Sequence, residues 1–219
     1  MSTTSEENYI KAIFKLSHEL KTEATTSSIA EHMATKASSV TDMVQKLADK
    51  HLVNYIKYQG VTLTPKGEKA AIKMVRKHRL WELFLYQKLG FKWNEIHEIA
   101  EELEHIKSDV LIERLDKFLN YPQKDPHGDP IPDRKGHFPE NKSFKLSQLS
   151  KGVKGIVVGV NDKSSVFLAY LDKVGIQLGT ELEIIDCNEF DNSLDIKVND
   201  SKLIHLSYQA IQNILMIEK

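Results

Sequence analysis

Six side chains able to ligate a metal ion lie between positions 78 and 105: His78, Glu82, His97, Glu101, Glu104 and His105. The last four stand at i, i+4, i+7 and i+8 within WNEIHEIAEELEHIKSDVLIERLDKFL. At about 100° per residue these positions cover roughly a third of a helix circumference, so four donors share one face. His78 and Glu82 repeat the i, i+4 spacing in the preceding stretch, RKHRLWELFLYQKL. Imidazole nitrogens and carboxylate oxygens, with no thiolate among them, suit a borderline-to-hard divalent ion such as Mn²⁺ or Fe²⁺. Any one of these residues alone reads as part of a solvated charged face. Six of them on consecutive helical stretches read as a metal centre.

The elements around the cluster suggest what the metal controls. Residues 5–20 place Tyr9, Ile10, Ile13, Phe14 and Leu16 at helical spacing, with Ser5 as N-cap. Thr25 to Ala34 reads as a short helix, Thr35 to Ala37 as a turn, and a second helix opens at Ser38 or Ser39. That second helix buries Val40, Met43, Val44 and Leu47. Two short helices across a brief turn form a helix-turn-helix. Next, LVNYIKYQGVTLTPKG carries a β-hairpin signal and a helix-starting Pro65. Helix-turn-helix followed at once by a hairpin is a winged helix. Its exposed candidates for DNA contact are Lys36, Ser38, Ser39, Thr41, Asp42, Gln45 and Lys46, with Lys57 and Tyr58 on the wing. Gln45 or Asp42 suits a base edge, and the others suit phosphate.

Residues 67–120 read as two long helices broken near Gly90. The second, at 94–119, has apolar residues on more than one side, which suggests packing against a partner as well as its own chain. Residues 121–142 contain five of the six prolines and read as a linker. Beyond it, GVKGIVVGV, SVFLAYL, GTELEIIDC, SLDIKVN and KLIHLS read as about five strands of a small β-barrel. The expected fold class is thus α+β and multi-domain. It comprises a winged helix at 1–66, a helical metal-binding and dimerisation domain at 67–121, the linker at 122–142 and an SH3-like barrel at 143–219.

Composition narrows the function classes. The net charge of −1 conceals an asymmetry: residues 1–79 carry a net of +5, whereas 80–120 carry −4 and 151–219 carry −3. A basic part joined to an acidic, His-containing part fits one piece meeting phosphate and another holding cations. The single Cys187 excludes an internal disulfide and any cysteine-built metal site. A polar N-terminus and the lack of a long apolar run point to a cytoplasmic protein without a membrane partner. A metal-carboxylate enzyme is one competing class, but Glu102 and His105 form a single Glu-x-x-His where di-iron chemistry needs two. A metal-independent winged-helix regulator is another, and it leaves the six donors unexplained.

This order of elements, with SSVTDMVQKLADKHLV, LTPKG, KHRLWELFL and EIHEIAEELEHIKSDVLIERL at their spacings, resembles the diphtheria toxin repressor and manganese transport regulator family. These are metal-dependent transcriptional repressors, and the resemblance is to the long form with an SH3-like domain similar to FeoA. It implies a homodimer on a palindromic operator, with Mn²⁺ or Fe²⁺ as corepressor and no small organic substrate. It implies that His78, Glu82 and His97 match an ancillary site, and that Glu104 and His105 match the primary, activating one. Glu101 stands where manganese-type members have glutamate and iron-type members cysteine. Asn8 stands where the former have Asp and the latter Met. Lys11 replaces a glutamate of the manganese regulator, which argues against a binuclear cluster, and Glu7 is a neighbouring carboxylate. In the barrel, Lys163 and Val166 stand near the positions of an acidic and an amide ligand. Asp162 or Ser164 are the substitutes at hand, and a barrel touching no metal is the alternative.

Overall fold

The computed structural model describes residues 3–56, 59–140 and 142–218. They divide into two compact units: 1–78 with 102–109 and 132–137, and 79–101 with 110–131 and 138–219.

In the first unit, α1 (Thr4–Phe14) begins at Thr3 rather than Ser5. Thr3 accepts from the Glu6 backbone N–H, and Glu6 reaches back to the Thr3 backbone, so two orphan donors are satisfied reciprocally. Thr25 and Ser28 repeat this box at α2 (Thr26–His32). The next helix, α3, runs over Ala37–Asp49, and β1 (Val53–Ile56) pairs antiparallel with β2 (Gly60–Leu63). Ile10, Ile13, Ile29, Val40, Val44, Leu47 and Val61 close the core between them, each 3 % exposed or less. Residues recurring at helical spacing on three helices therefore meet one face of a two-stranded wing, which makes the winged helix.

From Pro65 a single helix, α4, runs to Leu89. Gly67 in its first turn is required sterically, because a Cβ there would come within 1.9 Å of the Leu52 carbonyl oxygen. The predicted long helix over 94–119 is two helices, α5 (Ile96–Leu103) and α6 (Asp109–Phe118). The break at 104–108 falls on the two residues expected to ligate metal in the primary site.

The second unit contains a six-stranded antiparallel sheet in the order β3-β8-β4-β5-β6-β7. The strands are β3 (Phe144–Lys145), β4 (Lys154–Val160), β5 (Glu181–Cys187), β6 (Leu194–Val198), β7 (Lys202–Leu206) and β8 (Ile214–Glu218). One expected strand is wrong: SVFLAYL forms α7, Ser165–Val174. Its apolar Leu168 and Leu171 lie at i, i+3 and are buried, while Val166 is 80 % exposed. Ser164 caps the helix by accepting from the Phe167 N–H, and Gly175 ends it in the left-handed conformation. The short apolar run had the length of a strand but a helical period. The sequence reading also lacked β3 and β8.

The proline-rich stretch is more than a joint. In the second unit, Asp125, Pro126, His127 and Gly128 are buried, and the Val160 N–H donates to the His127 carbonyl. Gly128 has φ +88°, and a Cβ on it would lie 2.0 Å from the Val158 carbonyl oxygen, so the segment can approach β4 only through glycine. Trp93 enters the barrel core and donates its indole N–H to Asp172 at 3.1 Å.

Candidate metal centres and nucleic-acid interface

In the first unit α1 presents Glu7, Asn8 and Lys11 within little more than one turn, and the segment after α5 presents Glu104 and His105. Nδ1 of His105 lies 2.7 Å from Oε2 of Glu7. Nδ1 of His78, on α4, lies 2.7 Å from Oε2 of Glu104. Lys11 donates to the same Glu104 oxygen at 2.6 Å. Glu104 is fully buried, and neither its Oε1 nor the buried Oδ1 of Asn8 has a hydrogen-bond partner. A buried carboxylate oxygen and a buried amide oxygen left unpaired are costly. These oxygens, the two imidazoles and the Glu7 carboxylate are the ligand types that a divalent transition ion takes. Glu7, whose role the sequence left open, points into this cluster.

The other sequence-selected donors belong to the second unit. Nδ1 of His97 lies 3.2 Å from Oε1 of Glu82, and its Nε2 lies 3.7 Å from Glu101. The other Glu82 oxygen faces Nδ1 of His127 at 3.7 Å. Glu82, Asp125 and His127 are all buried and can bring one ligand atom each within 4.8 Å of one another. Asp125 Oδ2 and His127 Nδ1 have no hydrogen-bond partner. A cation between these three groups would satisfy all of them.

The candidate reading surface lies on α3. Lys36, Ser38, Ser39, Thr41, Asp42, Gln45 and Lys46 are all exposed, whereas the alternating Val40, Val44 and Leu47 are buried. Lys57 and Tyr58 lie outside the described residues.

The sequence matches family models along nearly its whole length. Residues 1–61 match the iron dependent repressor N-terminal DNA binding domain, and 64–133 match its metal binding and dimerisation domain. Residues 144–217 match the FeoA domain. The HTH-type transcriptional regulator MntR of Geobacillus thermodenitrificans is 41% identical over 125 residues, 57% of this chain and 87% of that protein.

The chain belongs to the iron-dependent repressor family.

Among solved structures, a manganese-dependent transcriptional repressor in complex with manganese is similar to it with a TM-score of 0.87 and 35% identity. That likeness covers 98% of this chain and 100% of the other. The iron-dependent repressor IdeR of Mycobacterium leprae is 35% identical over 126 residues, 58% of this chain and 54% of that protein.

In this repressor the electrostatics around Glu82 are dominated by burial. Burial, then the charges of Asp129 and Glu82, push the Asp125 carboxyl up to about 7. For His127 burial works to lower the pKa, but the Glu82 contact and charge, then Asp125, outweigh it and raise it. Asp129 is likewise opposed by burial yet held below the usual carboxylate range by Lys163 and Arg79. Lys163 of the barrel is salt-bridged to Asp129, and Arg79 donates to Asp129 at 3.3 Å and to the Pro130 carbonyl at 2.6 Å. Asp162 accepts from the Ser164 N–H at the start of α7, and Ser164 caps that helix. The barrel therefore meets this cluster through an ammonium.

Asp125, His127 and Asp129 were missed from sequence because they stood in a stretch read as a linker. The signal available was a D-P-H-G-D string of ligand-type residues among the prolines.

Proposed function

We propose that the chain is a DNA-binding transcriptional repressor of metal-ion homeostasis, activated by Mn²⁺ or Fe²⁺ as corepressor. It acts as a homodimer on a palindromic operator. The observation that carries the reading is the contact of the helix leading into the reading head, through Glu7 and Lys11, with the segment bearing His105 and Glu104, at 2.7 and 2.6 Å.

Glu7, Asn8, His78, Glu104 and His105 are the residues that would hold the activating ion. Glu82, Asp125 and His127, with His97 and Glu101 beside them, would hold a second. A divalent ion supplies the charge and fixed coordination angles that vacant carboxylates and imidazoles lack. With that charge in place, Glu7 and Asn8 fix α1, and α1 packs directly on α2, α3 and the wing through Ile10, Ile13 and Phe14. A dimer reads two half-sites only when its recognition helices are spaced by about 34 Å or a multiple. Fixing α1 therefore selects the conformation that fits the operator, a coupling of about 1–3 kcal/mol.

The domain assignment proposed is a winged helix at 1–66, a metal-binding and dimerisation domain at 67–121, a proline-rich connection at 122–142 and a barrel at 143–219. Dimerisation is supported by the open apolar face of α6, where Val110 is 61%, Phe118 62% and the following Tyr121 57% exposed. We read the chain as a regulator rather than an enzyme, because Glu102 of the single Glu-x-x-His is exposed while the buried carboxylate is Glu104. No helix among the described residues is long and apolar enough to cross a membrane, which agrees with action on cytoplasmic DNA.

The deciding experiment is DNA retention on a gel with Mn²⁺, with anaerobic Fe²⁺ and with chelator. Retention only in the presence of metal is expected. Equal affinity in chelator and in Mn²⁺ would overturn the proposal.

A further inference from the structure

The primary cluster already contains a cation of its own. Lys11 leaves α1 one turn beyond Glu7 and sets its ammonium 2.6 Å from Oε2 of Glu104 and 3.3 Å from Nδ1 of His78. Nδ1 of His78 and Oε2 of Glu104 lie 2.7 Å from each other. The ammonium thus sits against an oxygen and a nitrogen that the proposed function gives to the metal. Glu104 has no exposed side-chain surface, and a carboxylate so buried needs a counter-charge. Lys11 supplies it, from a side chain itself only 15% exposed.

A divalent ion and this ammonium cannot share that place. Glu104 and His78 would hold the ion, and Nζ of Lys11 already lies against the same oxygen and nitrogen. Two cations pressed together in a buried site repel strongly. The lysine stem is long and flexible, and the slight exposure of the side chain gives the ammonium a way out to water.

We propose that Lys11 is an intramolecular stand-in for the activating ion. It occupies the ion's place on Glu104 and His78 in the metal-free protein and swings away as the site is loaded. Two properties follow. Metal affinity is lowered by the strength of a charge-assisted hydrogen bond that must first be broken, so the repressor answers only above a set metal level. In addition, α1 is tethered to Glu104 in both states, by lysine without metal and by coordination with it. Loading therefore exchanges the lysine contact for coordination through Glu7 and Asn8, which sets α1 in the position the operator requires. The inference rests on His78, Glu104 and His105 being ligands of one ion, as proposed above.

The test is calorimetric titration of Mn²⁺ into the full-length wild type, Lys11→Met, Lys11→Gln and His105→Ala. Both Lys11 variants are expected to bind Mn²⁺ about tenfold more tightly or better, the factor a charge-assisted hydrogen bond commands. Their metal-free melting temperature should fall while the Mn²⁺-loaded one is retained. Affinity equal to or weaker than wild type would overturn the role of Lys11. An unchanged number of bound ions in His105→Ala would instead overturn the ligand assignment on which it rests. The wild-type protein provides a second measurement that does not depend on a variant folding. Labelling with an amine-reactive ester, mapped by mass spectrometry, should modify Lys11 slowly without metal and severalfold faster with Mn²⁺. A rate that does not rise on adding Mn²⁺ also overturns the proposal.

Discussion

Nε2 of His127 donates to the backbone carbonyl oxygen of Trp93 across 2.9 Å, and that bond leaves Nδ1 facing Oε2 of Glu82. A neutral imidazole donating through Nε2 carries its lone pair on Nδ1, which is the form a metal takes. The carbonyl that fixes the tautomer belongs to a tryptophan seated in the barrel core, so packing in the barrel helps to hold this imidazole in place.

This arrangement predicts proton release on metal binding. Asp125, raised to about 7, and His127, raised by the Glu82 contact and charge, both bind protons more readily than ordinary groups of their kind, and a metal competes with those protons for the same atoms. Calorimetric titration of Mn²⁺ at pH 7 should give heats that vary with the ionisation enthalpy of the buffer. His127→Ala should lower the number of ions bound by one per chain and reduce that dependence. Buffer-independent heats in the wild type would contradict the assignment.

Breaking the primary cluster should uncouple DNA binding from metal. His105→Ala or Glu104→Ala is expected to cost the metal-dependent part of operator affinity, about 5–150-fold for a coupling of this kind. The loss is read by gel retention in Mn²⁺. Circular dichroism of the variants should remain that of a folded protein.

Acid stability offers a check on α1. The Lys50 ammonium beside Glu6, 2.6 Å away, and the Thr3 backbone hold the Glu6 carboxyl below its ordinary value against a smaller opposing effect of burial. A depressed carboxylate stabilises the fold above the unfolded pKa of about 4.3, and that stability is lost as pH falls through the folded value below it. Glu6→Gln keeps the cap but removes the charge facing Lys50, and should therefore lose up to about 1 kcal/mol at neutral pH, the size of a part-exposed ion pair, and less as the pH approaches 3. Chemical denaturation at pH 7 and pH 3 measures the difference.

Assembly should depend on α6. Phe118 is 62% exposed and meets Phe84 at 6.2 Å between ring centroids and Lys88 at 5.4 Å. Placing a charge there by Phe118→Asp should weaken the dimer by about 30-fold or more, as for a central interface aromatic. Sedimentation velocity across a concentration series reads it directly. A wild type that is monomeric at micromolar concentration would refute the prediction.

On α3, Lys36→Ala and Lys46→Ala should weaken binding to all sequences alike and each reduce the salt slope by about 1. Gln45→Ala should relax specificity at one base position by about 1–3 kcal/mol. Affinities for operator and unrelated DNA at two salt concentrations separate the two outcomes.

Much of this protein could be read directly from the chain. Apolar residues at period 3.6 placed α1 and α3, the Gln59-Gly60 turn placed the wing, and the His/Glu spacing marked the candidate donors. These are local properties, because side-chain direction along a helix and turn propensity act over a few residues. What failed had a non-local cause. SVFLAYL became a helix because Leu168 and Leu171 pack together into the barrel core. The helix over 94–119 broke at Glu104 and His105, which turn toward α1. Asp125 and His127 became part of a buried cluster only because Gly128 lets the proline-rich segment lie against β4. Lys11 was visible as a departure from pattern, but its ammonium rests on Glu104 across 93 residues of sequence. Local physics fixes which residues can act, whereas burial and long-range packing decide which of them meet, since the cost of an unpaired charge depends on surroundings that distant segments provide.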